Sequence, residues 1–198
     1  MLHPNPRFAT LLAGLCTAAL AGAVPLTVTV LDAAGAPLSD AVVSVEVRGI
    51  KTRAAPATVA ELGQRDKRFT PTVLAVQTGT EVSFPNHDTV RHHVYSFSKI
   101  KPFELKLYAG TPASTVRFDL AGTAVLGCNI HDTMTAYVRV VDTPYFSRTD
   151  SSGHARFELP PGEHRLAIWH PSLPTDTPVP ERSLQLGGST TDLIVVLP

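Results

Sequence analysis

Short runs in which every second residue is apolar, each cut off by Gly, Pro, Asp or Ser, fill the chain from residue 25 to its end. Residues 25–31 read PLTVTVL and residues 135–141 read TAYVRVV. Between them lie 40–47 (DAVVSVEV), 59–62, 72–77, 80–85, 91–98, 115–120 and 123–127. After them come ARFELP, EHRLAIW and DLIVVLP, separated by SSG, PPGE and a Pro-rich stretch at 171–180. A period of two sends successive side chains to opposite faces, as a half-buried strand requires. No long 3.6-residue pattern occurs, and residues 101–108 are expected to make a helical turn at most. The pattern predicts an all-β chain of many short strands, hence a sandwich or barrel. Residues 48–57 (RGIKTRAAPA) are small, basic and Pro-containing, and read as a linker.

Charge and termini narrow the function. Lys plus Arg and Asp plus Glu both number 17, so no basic excess is available to neutralise nucleic-acid phosphates. The first 23 residues carry Arg7, an apolar run from Phe8 to Leu20, and Ala21-Gly22-Ala23. That is a signal-peptide pattern with cleavage expected after Ala23, hence a periplasmic or secreted protein. The apolar run is too short to span a bilayer, no other segment is apolar enough to do so, and no membrane span is expected. Cleavage removes Met1 and Cys16 and leaves Cys128 and Met134 as the only Cys and Met. A lone Cys in an oxidising compartment is buried and inert, paired with another chain, or bound to something.

The two sulfur residues share one short stretch, Cys128-Asn-Ile-His131-Asp-Thr-Met134. Thiolate, imidazole and thioether together suit a soft or borderline metal, and the blue-copper site uses two imidazoles, a thiolate and a Met. A second imidazole must come from elsewhere, and residues 86–94 (NHDTVRHHV) offer it. Alternation alone leaves His92 and His93 open, because they point to opposite faces. His87 reads as a loop residue. His154, His164 and His170 read as surface residues, and Trp169 as core of the closing strands. Lys99, Lys101 and Lys106 read as a solvated face. Ser96 and Ser98 lack a base-and-orienter arrangement, and neither a phosphate loop nor a dinucleotide fingerprint occurs. The chain is therefore not expected to be an enzyme.

The stretch 68–141 resembles the cupredoxins. Phe69 and Pro71, then Val76, Gly79 and Val82, then Asn86, His92 and the Cys128/His131/Met134 loop follow that family's order. The loop has the short amicyanin spacing. The resemblance implies a Greek-key β-sandwich holding one type 1 copper ion, Cu(I)/Cu(II), that passes single electrons to a redox protein partner. Amicyanin-like chains supply the first ligand from N-x-[DE]-x-x-x-H-N-V, which Asn86, Asp88, His92 and Val94 match. By that resemblance the ligands are His92, Cys128, His131 and Met134. Two departures stand out: His93 replaces the usual Asn, and Asp132 with Thr133 replaces the usual apolar residues after His131. The whole chain also resembles exported cupredoxin-like proteins labelled methylamine utilisation proteins.

The flanks resemble a different family, the carboxypeptidase regulatory-like, transthyretin-like β-sandwiches. Asp32, Gly35, Pro37, Leu38 and Ala41 match its first half. Thr149, Asp150, Gly153, Phe157, Pro161 and Gly162 match its second. The expected organisation is a signal peptide at 1–23, a discontinuous sandwich of 24–57 plus 143–198, and a cupredoxin domain of 58–142 inserted at a loop tip. One elongated sandwich is the alternative topology. A copper-delivery protein and a metal-free binding or adhesion sandwich are the alternative functions.

Overall fold

The computed structural model describes residues 22–174 and 177–198, so nearly all of the expected signal peptide lies outside the described residues. Every regular element among the described residues is a strand, and none is a helix long and apolar enough to cross a membrane. The chain opens with β1 (Val24–Leu31) and β2 (Val42–Val47). A central series follows. Its first half is β3 (Val59–Glu61), β4 (Gly63–Arg65), β5 (Arg68–Thr70), β6 (Val73–Gln77) and β7 (Glu81–Ser83). Its second half is β8 (His92–Ser96), β9 (Phe103–Tyr108), β10 (Val116–Arg117), β11 (Gly122–Cys128) and β12 (Thr135–Val141). The chain closes with β13 (Tyr145–Arg148), β14 (His154–Leu159), β15 (Gly162–Trp169), β16 (Glu181–Leu186) and β17 (Thr191–Val196).

The first and last strands interleave. They form one sheet in the order β14-β1-β17 and another in the order β13-β2-β15-β16. Alternate residues of both sheets, Leu26, Val28, Val43, Val45, Phe157, Leu166 and Ile168 among them, make one buried cluster. The central strands form a five-stranded sheet, β6-β12-β11-β8-β9, and a three-stranded one, β10-β7-β3. These enclose a second cluster that includes Val82, Phe84, Val94, Phe118, Leu126, Cys128, Met134 and Val138. β12 follows its alternation closely: Ala136, Val138 and Val140 face this core while Tyr137 and Arg139 face outward.

Three expectations are corrected. Residues 101–108 are not a helical turn: Phe103–Tyr108 is an edge strand paired with β8, and alternate residues Phe103 and Leu105 pack on the central core. Its partner strand, invisible in a local pattern, decides the matter. Trp169 is not in the core of the closing sheets. Leu166 and Ile168 point into that core, so the period of β15 turns Trp169 to the other face. There it joins Val42 and Val73 in a small third cluster, with Tyr137 and Val179 packed against it. His164 is buried, not superficial, with its Nε2 2.8 Å from the Pro160 carbonyl.

The turn at Asp150–Gly153 ties the closing strands to β1. The Val30 N–H donates to the Gly153 carbonyl at 2.8 Å. Gly153 has φ +74°, and a Cβ there would lie 2.5 Å from the Val30 carbonyl oxygen. Gly35 has φ +82° with open space around it. Gly35→Ala should therefore cost about 1 kcal/mol for the left-handed backbone alone, and Gly153→Ala roughly 2–3 kcal/mol, because backbone must also move. Urea unfolding of the two variants checks this, and equal losses would contradict the close approach.

Candidate metal centre

Cys128 ends β11, whose inward series is Ala124, Leu126 and Cys128. The cross-strand register then shows which of the adjacent histidines shares a face with Cys128. Cys128 lies opposite Val94 of β8, and directly opposed residues share a face. The same face of β8 carries His92, with no exposed surface, while His93 points away. His93 meets Glu104 on the outer side, Nε2 to Oε1 2.8 Å. A register shift between β8 and β9 next to His92 marks a bulge, a device that re-aims a side chain beside a site.

Three donor atoms converge. Cys128 Sγ lies 3.7 Å from His92 Nδ1 and 3.8 Å from His131 Nδ1, and the three residues' ligand atoms all fall within 4.8 Å of one another. The imidazole rings are 5.0 Å apart between centroids. Nitrogen and sulfur held about 2.0 and 2.3 Å from one ion, with roughly 120° between them as in a trigonal plane, would stand about 3.7 Å apart. A thiol has one proton and can satisfy only one of two ring nitrogens. The arrangement therefore suits a central cation better than a hydrogen-bonded trio.

The loop to β12 is short and closed by its own backbone. The Met134 N–H donates to the His131 carbonyl at 2.9 Å, and the Asn129 N–H donates to the His93 carbonyl at 3.1 Å. His93 thus ties the loop through its main chain, whatever its side chain. Met134 is buried against the central core. His131 is half-buried among exposed Asn129, Ile130, Asp132 and Thr133, so it is the ligand candidate nearest solvent.

A second layer fixes His92. Its Nε2–H donates to Asp88 Oδ2 at 2.8 Å, which leaves the Nδ1 lone pair facing Cys128. Asp88 is itself held by the tip of the β4–β5 hairpin. Asp66 and Lys67 adopt φ of 53° and 56°, the two-residue turn that such a hairpin favours. Their N–H groups donate to Asp88 at 2.6 and 2.9 Å. Burial alone would raise the Asp88 carboxyl. The Lys67 N–H, the His92 ring and the Asp66 N–H outweigh it and hold the group below the usual carboxylate range. Asn86 anchors the same loop: its side chain donates to the Val90 and Tyr108 carbonyls at 2.8 and 3.0 Å and accepts the Asp88 N–H at 2.9 Å.

Beneath the centre lies a polar pair with no sequence signal. Tyr108 donates to the Phe84 carbonyl at 2.8 Å and accepts from Gln64 Nε2 at 2.6 Å. Burial pushes Tyr108 up to about 12, Gln64 moderating and nearby Cys128 reinforcing the shift. His87 is exposed and stands outside the cluster, 3.9 Å from Glu61.

No protein-family model matches the chain. No curated protein matches it either. Solved structures do. A copper-containing nitrite reductase from Thermus scotoductus is 23% identical over 49% of this chain and 25% of that one, with a TM-score of 0.40. A reduced point mutant of amicyanin is 19% identical over 50% of this chain and 97% of that one, at 0.38. A purple cupredoxin from Nitrosopumilus maritimus is 19% identical over 42% of this chain and 98% of that one, at 0.36. The matched half spans only a quarter of the nitrite reductase but nearly the whole of each cupredoxin.

Proposed function

We propose that the chain is an exported type 1 copper protein that carries single electrons between redox partners in the periplasm. The observation that carries this reading is the buried Cys128 sulfur facing the Nδ1 atoms of His92 and His131. The donor set fits copper: a soft thiolate and two imidazoles, with the thioether of Met134 on the same short loop. His92, Cys128 and His131 would hold the ion and Met134 would tune it. Bound copper would supply a one-electron couple. The protein's part is rigidity. The Asp88 carboxylate and the hairpin N–H groups hold the His92 ring in one tautomer and one orientation. The Met134–His131 backbone bond holds the loop. Ligands that do not move with oxidation state keep reorganisation small. His131, nearest solvent, would be the edge through which an electron enters or leaves. Asp132 beside it places a charge on that edge, so exchange with a charged partner should depend on salt.

Protein-film voltammetry of the copper-loaded protein, run beside a chelator, tests the reading. The expected result is a reversible one-electron wave with the metal retained. Rapid loss of copper to the chelator on reduction would instead support delivery and overturn the electron-carrier reading.

Asp88 gives a graded prediction. Asp88→Ala removes the acceptor for His92 Nε2–H, and should weaken copper binding about ten- to a hundredfold, the usual cost of losing a ligand's outer partner. Competition titration measures it. Unchanged affinity would mean that Asp88 holds the hairpin and nothing more.

A further inference from the structure

The two buried cores meet along the outer face of the five-stranded sheet, and they do not cover all of it. Val42, Val73 and Trp169 close one part. Beside them a cleft of about 400 Å³ remains open, with β11 and β12 as its floor, Trp169 and Val179 on one wall, and Phe97 and Lys99 on the other. That volume lies within the roughly 300–1,000 Å³ of small-molecule sites, which favour such junctions.

The charge in the cleft is one-sided. Arg139 and Lys99 line it, and no Asp or Glu among its described residues does. The Arg139 guanidinium lies 5.9 Å from the centre of the Trp169 ring, and its described hydrogen bond is Nη1–H to Thr123 Oγ1 at 3.1 Å. The acids near its other side are already engaged: Glu46 and Glu181 pair with Arg165, and Asp142 with Lys51. Burial lowers Arg139 from the ordinary guanidinium range, and no carboxylate among the described residues pairs with it. A shielded guanidinium without an anion costs free energy that a bound carboxylate would recover through a paired, charge-assisted contact. The walls are flat and apolar: the Tyr137 and Trp169 rings lie 5.6 Å apart, and Phe97 is 83% exposed.

We propose that this cleft binds a small planar organic anion, an aromatic carboxylate, with Arg139 as its anchor and Trp169, Tyr137 and Phe97 as its apolar walls. Neutral aromatics would leave Arg139 unpaired, and inorganic anions would leave the walls empty. The proposal needs no metal and stands apart from the copper reading.

Trp169 is the only Trp in the chain, so its fluorescence reports on the cleft directly. Benzoate and its neutral isostere benzamide would be titrated into the full-length metal-free protein, by fluorescence and calorimetry. Saturable benzoate binding is expected, at least about tenfold tighter than benzamide. Arg139→Gln should erase the difference while retaining copper binding and the far-ultraviolet spectrum of the parent. Equal binding of the two probes, no saturation by benzoate, or unchanged preference in Arg139→Gln would overturn the proposal.

Discussion

Cys128→Ser is expected to weaken Cu(I) binding by more than about a hundredfold, beyond the ten- to hundredfold ascribed to a change in the outer layer. The substitution exchanges a soft sulfur for a hard oxygen at a position where the two nitrogen donors stay in place. Thiolate is the charged soft donor of this set and favours the soft ion Cu(I), which a hard hydroxyl oxygen does not. Serine is nearly the same shape, and Cys128 sits at the end of a strand whose neighbours Ala124 and Leu126 make the core. The fold should therefore survive, with far-ultraviolet spectrum and urea midpoint of the metal-free protein close to the parent's. Competition with a Cu(I) chelator gives the affinity. A loss of less than tenfold would place copper elsewhere.

The second large effect concerns cooperativity. We propose that residues 58–142 and the joined flanks fold as separate units. Their clusters draw on different strands. The contacts between them are a small patch around Trp169, an Arg148 Nη1–H bond to the Val73 carbonyl at 3.1 Å, and the polar contacts of the linker residues Lys51, Thr52, Arg53 and Ala54 with Gln77, Thr78, Asp119 and Asp142. Calorimetry of the full chain should then show two transitions. Copper held by the native central unit alone would add its binding energy there: about 4 kcal/mol at roughly a thousandfold excess over Kd. For a unit of that size each kcal/mol moves the midpoint by about 4–8 °C, so one transition should rise on the order of 20 °C and the other barely move. A single transition that rises as a whole would mean one continuous cooperative structure.

What could be read in advance follows physical locality. β12 was legible to the residue, because Thr135–Val141 alternates cleanly and its turn signals are local. β9 was not, because Phe103–Tyr108 is held by pairing with β8 and by packing of Phe103 and Leu105, neither of which a local window contains. The candidate site divides the same way. The Cys128–His131–Met134 spacing is contiguous in sequence. Which of His92 and His93 faces Cys128 rests on Val94 lying opposite Cys128, a register between strands that alternation cannot supply. Asp88 was visible as a spacing match, but not its grip on His92, since that depends on the Asp66–Lys67 hairpin tip folding over it. Gln64 and Tyr108 had no signal at all: a buried Gln and a Tyr far apart in the chain look like surface residues until the sheets close. Alternation gives Trp169 two faces and no indication that both are covered, so its place in the third cluster has no local signal.

The visible absorption spectrum of the mature protein with one equivalent of Cu(II) tests the central claim most directly. A thiolate and two imidazoles on one copper ion predict an intense thiolate-to-Cu(II) band, absent from Cys128→Ser and bleached by a one-electron reductant. A protein that holds stoichiometric Cu(II) and stays colourless would contradict the type 1 assignment.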